Sequence, residues 1–193
     1  KYKRAVDGVN KQRQEANDLL QYLQSIDLSL QTTTNKTEVA EIRQELINEG
    51  IISENKKGKS KSSLPKSVPL SISLSQETII YVGKNNRQND LVTFTIAKPH
   101  DLWFHTKGFP GSHVVLKTLL SKPTDAEITT AANLAAYFSK ARNSSNVPVD
   151  CTEKRFVKKP SGAKPGFVIY TNQQTIYITP DHAAIENIIS RHE

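Results

Sequence analysis

Residues 101–116 read DLWFHTKGFPGSHVVL, and this stretch decides the fold class of the chain. Two β-rich runs flank a turn that contains Gly and Pro, which is the pattern of two neighbouring strands. Because side chains alternate along a strand, Asp101, Trp103 and His105 share one face of the first run. The segment therefore predicts a sheet on which an aromatic ring, an imidazole and a carboxylate lie in a row.

Runs of the same kind continue on both sides of this segment. The predicted strands are Thr78–Val82, Leu91–Ala97, Leu102–Thr106, His113–Lys117 and segments around Val149–Thr152, Gly166–Tyr170 and Thr175–Thr179. Residues 84–90, between the first two strands, are expected to form a hairpin tip. A capping box of Thr124 with Glu127 opens a helix through about Arg142, and Pro180 begins a last helix. Strands before and after one long helix predict an α+β domain, with a mixed, largely antiparallel sheet packed against helices.

An apolar residue recurs at every seventh position of the N-terminal segment. These seam residues are Tyr2, Val9, Ala16, Leu23 and Leu30. So narrow a stripe is typical of a coiled coil, and we favour half of a coiled coil whose partner strand lies upstream, outside this sequence. The alternative is a single amphipathic helix docked on the later domain. A shorter helix follows, with Asn35 and Glu38 at capping-box spacing and Gly50 at its end.

Composition divides the chain into three segments. Residues 1–50 are expected to be the C-terminal part of a coiled-coil region, and residues 68–193 a folded domain. Residues 51–67 are rich in Lys and Ser and too polar to bury much surface, so they predict a flexible linker. Whether this linker is only solvated or lies along a polyanion stays open.

The composition of the whole chain excludes several classes of protein. It has 193 residues, a formal net charge of +7 and 36% hydrophobic residues. No apolar run is long enough to cross a bilayer, and the polar N-terminus predicts no signal peptide. The single cysteine, Cys151, excludes an internal disulfide framework and a cysteine-based zinc cluster. Because the chain begins at Lys1 and contains no Met, we expect a fragment of a longer intracellular protein.

Two kinds of chemistry could use the residues around the Gly/Pro turn. A metal site would take His105 and His113, with Asp101 or His100 as third ligand, but the spacing matches no well-defined zinc motif. A Ser/His/Asp catalytic site would use Ser112, but the sequence lacks a nucleophile elbow.

Binding of single-stranded RNA is the third interpretation of this segment. An exposed face of Trp103 for stacking, polar donors and basic flanks are what such recognition uses. The alternative is that Trp103 belongs to the core and the histidines cap strand ends. Two polar clusters, residues 84–90 and 158–166, favour a polyanionic partner. The candidate RNA-binding residues are Lys84, Asn85, Asn86, Arg87, Asp101, Trp103, His105, Ser112, His113, Lys154, Arg155, Lys158, Lys159 and Lys164.

Several motifs, in order, resemble the NFACT-R domain over about residues 70–180. They are residues 80–90 (IYVGKNNRQND), 101–105 (DLWFH), 110–115 (PGSHVV), 135–137, 141–142, 147–150, 158–160 and 162–166. The preceding heptads resemble the end of that family's coiled-coil middle region. Cys151 stands where relatives more often carry an aromatic residue.

The resemblance implies a role in ribosome-associated quality control. The family comprises the fibronectin-binding-protein-A-like bacterial proteins, also called RqcH, with archaeal and eukaryotic relatives. Such proteins bind large (50S) ribosomal subunits that carry an obstructed nascent chain and peptidyl-tRNA. The bacterial members recruit alanyl-tRNA, so that an alanine tail marks the chain for degradation. Streptococcal members are also described as surface adhesins for fibronectin.

We therefore predict a cytoplasmic, ribosome-associated RNA-binding and scaffolding module with no catalysis and no cofactor of its own. The expected partners are tRNA and rRNA, and a homodimer through the coiled coil stays open. One alternative is an adhesin fragment at the cell surface that binds fibronectin or acidic polysaccharide. Another is a metal-dependent hydrolase built on His105 and His113.

Overall fold

The computed structural model describes residues 2–33, 35–54 and 67–192. Most of the predicted linker lies outside these ranges, so the division of the chain at residues 51–67 stays a prediction. The helices are α1 (Tyr2–Thr32), α2 (Lys36–Asn48), α3 (Asn86–Leu91), α4 (Asp125–Tyr137) and α5 (His182–Ser190). The strands are β1 (Leu70–Ser73), β2 (Thr78–Val82), β3 (Leu102–Thr106), β4 (Val114–Thr118), β5 (Val147–Glu153), β6 (Val157–Lys158), β7 (Ile169–Tyr170) and β8 (Gln174–Ile178). Within the described ranges, every helix is too short or too polar to span a bilayer.

The strands build one antiparallel sheet beside a small ribbon. Among the described residues the sheet has six strands in the order β1-β2-β4-β3-β5-β8, and β6 pairs with β7 separately. Every pairing within the sheet is antiparallel. The predicted α+β class is confirmed, as are the long and the short helix that precede the sheet.

The two faces of β3 belong to two different cores. Phe104 packs on one face of the sheet with the alanine-rich side of α4, where small side chains let the helix approach closely. Trp103 lies on the other face with Val115 and Val157, under the segment that follows α3. The alternation read from the sequence of β3 is thus confirmed, and it places His105 at the end of the Trp103 face.

The predicted strand Leu91–Ala97 is wrong. The chain forms a π-helical turn over Val92–Ile96, closed by a bond from the amide of Ala97 to the carbonyl of Val92 at 3.0 Å. Apolar residues alternate with Thr in this turn, as in a half-buried strand, but Thr93 is fully buried. The hydroxyl of Thr93 accepts a hydrogen bond from the indole of Trp103 at 3.2 Å, so this polar position points inward.

The predicted hairpin tip is also a helix. Asn85 caps α3, because its side-chain oxygen accepts a bond from the amide of Gln88 at 2.9 Å. The polar residues of this segment are mostly buried: Asn85 and Asn86 donate to Glu41 and Glu45 of α2, and Asn89 accepts a bond from the amide of His113. The buried polar residues are Asn85, Asn86, Gln88 and Asn89.

Two predicted helix boundaries also change. α4 has the predicted capping box but ends at Tyr137, because the carbonyl of Phe138 accepts a bond from Ser112 in the turn before β4. α5 begins after Asp181, which caps the amide of Ala184, and Pro180 precedes the cap. In α2, Asn35 caps the helix, as predicted, and the side chain of Glu38 contacts both the hydroxyl of Thr33 and Nζ of Lys84.

α1 extends away from the sheet domain for most of its length. Residues 2–21 are all exposed, and burial begins at Tyr22 and Ile26, which pack on Ile42 of α2. The seam residues remain exposed within the described chain, with Tyr2 at 85% and Val9 at 63%. Docking of the whole helix, the alternative left open by the sequence, is therefore excluded, and coiled-coil pairing stays a prediction.

Candidate nucleic-acid interface

A cleft of about 500 Å³ opens where three parts of the chain meet. Its walls are the end of α1 near Tyr22, the turn 108–111 between β3 and β4, and the loop 160–168 between β6 and β7. Phe109 and Phe167 line it, and these two residues are 42% and 45% exposed. This volume is that of a pocket for a nucleotide-sized ligand.

A stack of rings forms the inner side of this cleft. His105 is half-buried and lies parallel to Trp103, with ring centroids 5.8 Å apart. His113 meets His105 edge-on at 5.4 Å, and Tyr170 lies 4.9 Å from Trp103. Of these four rings, His105, His113 and Tyr170 line the cleft. Trp103 therefore supports the rings that a ligand would touch.

A stacking role for Trp103 itself needs a ring face that a base can reach. The indole is 0% exposed, and its N–H donates to Thr93. The structure thus places Trp103 in the core, the alternative that the sequence left open. The aromatic surface that the cleft offers belongs to Tyr170 and the two phenylalanines instead.

Both histidines of the cleft are held neutral. Burial lowers the pKa of His105 to about 4, although the nearby Asp150 carboxylate opposes the shift. Burial also lowers the pKa of His113 well below its usual value, helped by His105 and Lys159. The hydroxyl of Thr93 lies 2.8 Å from Nδ1 of His113. The inner side of the cleft is therefore polar but uncharged at neutral pH.

Asp150 fixes the tyrosine of the cleft. This buried carboxylate accepts bonds from the hydroxyl of Tyr170 at 2.9 Å and from Thr175 at 2.6 Å. Burial and this carboxylate raise the pKa of Tyr170, so the phenol stays protonated and keeps donating. The ring is thus held against the cleft from behind.

The acidic side of α2 faces the sheet domain and forms what we call the junction. Its contributing glutamates are Glu38, Glu41, Glu45 and Glu49. Oε1 of Glu38 lies 2.5 Å from Nζ of Lys84, and Oε2 of Glu49 lies 2.8 Å from Nζ of Lys164. Two lysines predicted to bind RNA therefore pair with carboxylates of the same chain.

Glu45 is the centre of the junction. Its Oε1 accepts bonds from the hydroxyl of Tyr22 at 2.9 Å and from Nδ2 of Asn86 at 3.0 Å. Asn86 also donates to Ser25 of α1, so one polar cluster joins three helices. Within the described ranges Oε2 is buried without a hydrogen-bond partner, and burial raises the pKa of Glu45.

The glycine-rich loop of residues 160–168 already holds an anion, the carboxylate of Asp90. One oxygen of Asp90 lies 2.5 Å from Nζ of Lys159, and the other accepts a bond from the amide of Gly166 at 3.2 Å. The sequence predicted that ammonium and backbone N–H groups would meet an anion here. The structure fills that place with an internal carboxylate.

Other predicted residues lie at the opposite end of β3 from the cleft. Asp101 pairs with Lys117 at 3.0 Å and accepts a bond from the amide of Lys98. Lys154 lies over the ring of Phe94, and the backbone amide of Lys154 donates to the carbonyl of Asp101. This geometry separates Asp101 from His105 and His113, which the metal-site hypothesis required to be together.

Two further observations bear on the catalytic alternatives. His100, the other proposed third ligand, lies 3.0 Å from Glu153, which also pairs with Arg155. Ser112 is buried, and its amide donates to the carbonyl of Phe138. Within the described ranges, no group of three or more His, Cys, Asp or Glu side chains is arranged to hold a metal ion.

Two predicted cations remain exposed outside the ion pairs described above. Within the described ranges, Arg87 of α3 and Lys158 of β6 are exposed and form no ion pair. Arg87 follows Asn86, which donates to Glu45 in the junction. Lys158 precedes Lys159, which pairs with Asp90. Arg87 and Lys158 are candidate phosphate contacts close in sequence to residues that line the cleft, Asn86 and Pro160.

Sequence reasoning missed several residues of the cleft. Phe109 and Phe167 lie in turns, and a phenylalanine flanked by Gly and Pro was the available signal. Tyr170, Asp150 and the end of α1 carry no local signal, because only the fold brings them to the same place.

Sequence models of a known protein family match both the sheet domain and the N-terminal part of this chain. Residues 70–172 match the sequence model of the NFACT protein RNA binding domain, and residues 1–64 match that of the NFACT N-terminal and middle domains. The chain belongs to the NFACT family.

Its relatives share both sequence and fold. The chain is 43% identical over 183 residues to the Rqc2 homolog RqcH of Bacillus subtilis (strain 168), covering 94% of this chain and 31% of that protein. It is 43% identical over 188 residues to the Rqc2 homolog RqcH of Streptococcus pneumoniae serotype 2 (strain D39 / NCTC 7466), covering 97% and 33%. A solved structure of the C-terminal of the fibronectin/fibrinogen-binding protein from Streptococcus suis superposes with a TM-score of 0.85 at 42% identity, covering 97% of this chain and 74% of that one. The chain spans 31% to 33% of the length of these two curated relatives.

Proposed function

We propose that this chain is an RNA-binding module of a ribosome-associated quality-control factor. The observation that carries the proposal is the match of residues 70–172 to the NFACT protein RNA binding domain. The names of the curated relatives, Rqc2 homolog RqcH, support the assignment to quality control. A net charge of +7 favours a polyanionic partner.

At the finer level, we propose that the partner is a large (50S) ribosomal subunit obstructed with peptidyl-tRNA, in the cytoplasm. The module contacts tRNA or rRNA and supports alanine tailing by the whole protein without performing a reaction itself. The exposed cations Arg87 and Lys158 contact phosphates, because their side chains face solvent and form no ion pair within the described ranges. Lys84, Lys159 and Lys164 pair with carboxylates of the same chain and stabilise the fold instead.

Cosedimentation with purified 50S subunits tests this proposal, with 30S subunits as the control particle. We expect the chain to sediment with 50S subunits, and the variant with Arg87→Ala and Lys158→Ala to bind more weakly. Each lost phosphate contact should lower the slope of log affinity against log salt by roughly 0.7. Lys122 is an exposed cation outside the cleft lining, so Lys122→Ala is the matched control. It should change neither the affinity for 50S subunits nor its salt dependence. Absence of binding to 50S subunits and to tRNA would remove the proposal.

The second candidate function is adhesion. The solved relative of Streptococcus suis is described as a fibronectin/fibrinogen-binding protein, and the chain covers 74% of that structure. Binding to immobilised fibronectin, with and without competing tRNA or sulfated polysaccharide, tests this alternative. Saturable fibronectin binding by a chain that ignores 50S subunits would make adhesion the better assignment.

A further inference from the structure

We infer that the cleft holds one unstacked base of a bound RNA strand, with Phe109 and Phe167 as the rings that grip it. The inference rests on the proposed RNA-binding function and names the part of the ligand that this site takes. It starts from the shape and chemistry of the cleft, which differ from those of the basic surface around it.

The cleft has the size and the aromatic lining that a base needs. Its volume of about 500 Å³ lies within the range of small-ligand sites. The rings of Phe109 and Phe167 are nearly half exposed, although large apolar side chains normally bury more of their surface. Tyr170, held by its bond to Asp150, supplies a third ring. Proteins that bind single-stranded RNA stack splayed-out bases on such rings.

The inner side of the cleft suits a neutral group better than a phosphate. His105 and His113 are uncharged at neutral pH, and Asp18 contributes a carboxylate to the lining. The two lysines at the edge, Lys159 and Lys164, already pair with Asp90 and Glu49. A phosphate would therefore find little positive charge inside.

The walls can also meet the polar edge of a base. The turn 108–111 and the loop 160–168 bring backbone to the lining of the cleft, whereas the side-chain amide of Asn89 is already bonded to His113 and Gly111. Hydrogen bonds to base edges from such groups are typical of single-stranded RNA recognition. The phosphates on either side of the base would then lie toward Arg87 and Lys158.

The affinity of the whole chain for two oligonucleotides tests this inference. One is a short single-stranded RNA, and the other has the same sugar-phosphate backbone without bases. We expect the base-containing strand to bind at least about fivefold more tightly, which corresponds to stacking worth about 1 kcal/mol. Phe109→Ala combined with Phe167→Ala should abolish most of this difference. Tyr177→Ala removes an aromatic ring that is 63% exposed on β8, outside the cleft lining, and serves as the matched control.

The position of the base is read from NMR shifts. The amides of Gly108, Gly111, Gly162 and Gly166 should respond to the base-containing strand and much less to the abasic strand. Equal binding of the two strands, or an unchanged difference in the phenylalanine variant, overturns the inference while RNA binding stands. Failure of the unchanged chain to bind either strand or 50S subunits removes the proposed function instead. Saturation of the same amides by a phenylalanine-containing peptide, without a response to RNA, would assign the cleft to a protein ligand and also overturn it.

Discussion

Two glycines of the loop 160–168 test how tightly one wall of the cleft is held. Gly162 and Gly166 both have left-handed backbones, with φ of +73° and +77°. A side chain costs about 1–2 kcal/mol in that conformation. A methyl group at Gly162 would meet no described atom within 4 Å, whereas one at Gly166 would lie 2.6 Å from Oδ1 of Asn86.

We expect Gly162→Ala to lower the free energy of unfolding by about 1–2 kcal/mol, the backbone strain alone. Gly166→Ala should cost clearly more, because the methyl group also displaces Asn86 from the junction. Urea unfolding of the two variants measures both losses. Equal losses would mean that the loop moves away from α3 without penalty.

His105 should make the domain sensitive to mild acid. Its pKa is about 4 in the folded chain, whereas an unfolded histidine takes up its proton near pH 6.5. The unfolded chain therefore binds more protons between these values, so the free energy of unfolding falls as the pH drops from 6.5 toward 4.

Melting temperatures across this pH range, for the unchanged chain and for His105→Gln, check this expectation. The variant should lose part of the pH dependence because glutamine cannot take up the proton. His192→Gln changes an exposed histidine and should behave like the unchanged chain. Identical pH profiles for His105→Gln and the unchanged chain would contradict the argument.

At the scale of elements, the junction joins α1, α2 and α3 mainly through polar contacts around Glu45. A buried carboxylate with one oxygen unpartnered in the described chain is costly when charged, which agrees with its raised pKa. Glu45→Gln removes the charge and keeps an acceptor for Tyr22 and Asn86. We expect this variant to melt at a higher temperature than the unchanged chain at neutral pH.

The pH dependence of this effect has a definite sign. Because the folded pKa of Glu45 is raised, protonation relieves the cost of burial as the pH falls. The advantage of Glu45→Gln over the unchanged chain should therefore shrink toward acid pH. Glu45→Ala, the control that leaves two donors without an acceptor, should lose about 1–3 kcal/mol. An advantage of Glu45→Gln that stays constant with pH would mean that Glu45 has the same pKa in the folded and unfolded chains, which would contradict this expectation.

The elements also show where sequence patterns succeed and where they fail. β3 and α4 were predictable because alternation and a capping box are local signals. The helix α3 and the π-helical turn after it were missed, because their polar residues read as solvent-exposed. Asn86 and Thr93 are buried by partners that lie far away in sequence, Glu45 and Trp103 among them.

At the scale of the whole molecule, the uncovered seam of α1 requires a partner. Fully burying an apolar side chain contributes roughly 1.5–3 kcal/mol, and the seam residues forgo most of this in a monomer. We expect light scattering to show a dimer. A pair of changes on the seam, Val9→Glu with Leu23→Glu, should abolish it. Asn17→Glu, which lies off the seam, should leave it intact.

If light scattering shows a monomer, amide hydrogen exchange tests the coiled-coil prediction instead. Residues 2–21 of the monomer should exchange quickly, because nothing in the described chain covers them. Slow exchange over these residues in a monomer would contradict the coiled-coil prediction.

The cleft is a property of the whole molecule, and no single pattern in the sequence indicates it. Its walls come from positions as far apart in sequence as Tyr22, Phe109 and Phe167, which the fold brings together. The motif around Trp103 lies beside the cleft, because its residues His105 and His113 line it. It misplaced the accessible ring, because the stretch of chain that buries Trp103 was itself predicted to be a strand.

The exposed part of α1 also fixes a distance. From Tyr22, which lines the cleft, to Tyr2, the first residue of the helix, an α-helix rises about 30 Å. A straight helix keeps its two ends at a constant separation, so α1 sets the distance between the cleft and the seam at Tyr2. Whatever covers the seam at Tyr2 is thereby held about 30 Å from whatever occupies the cleft.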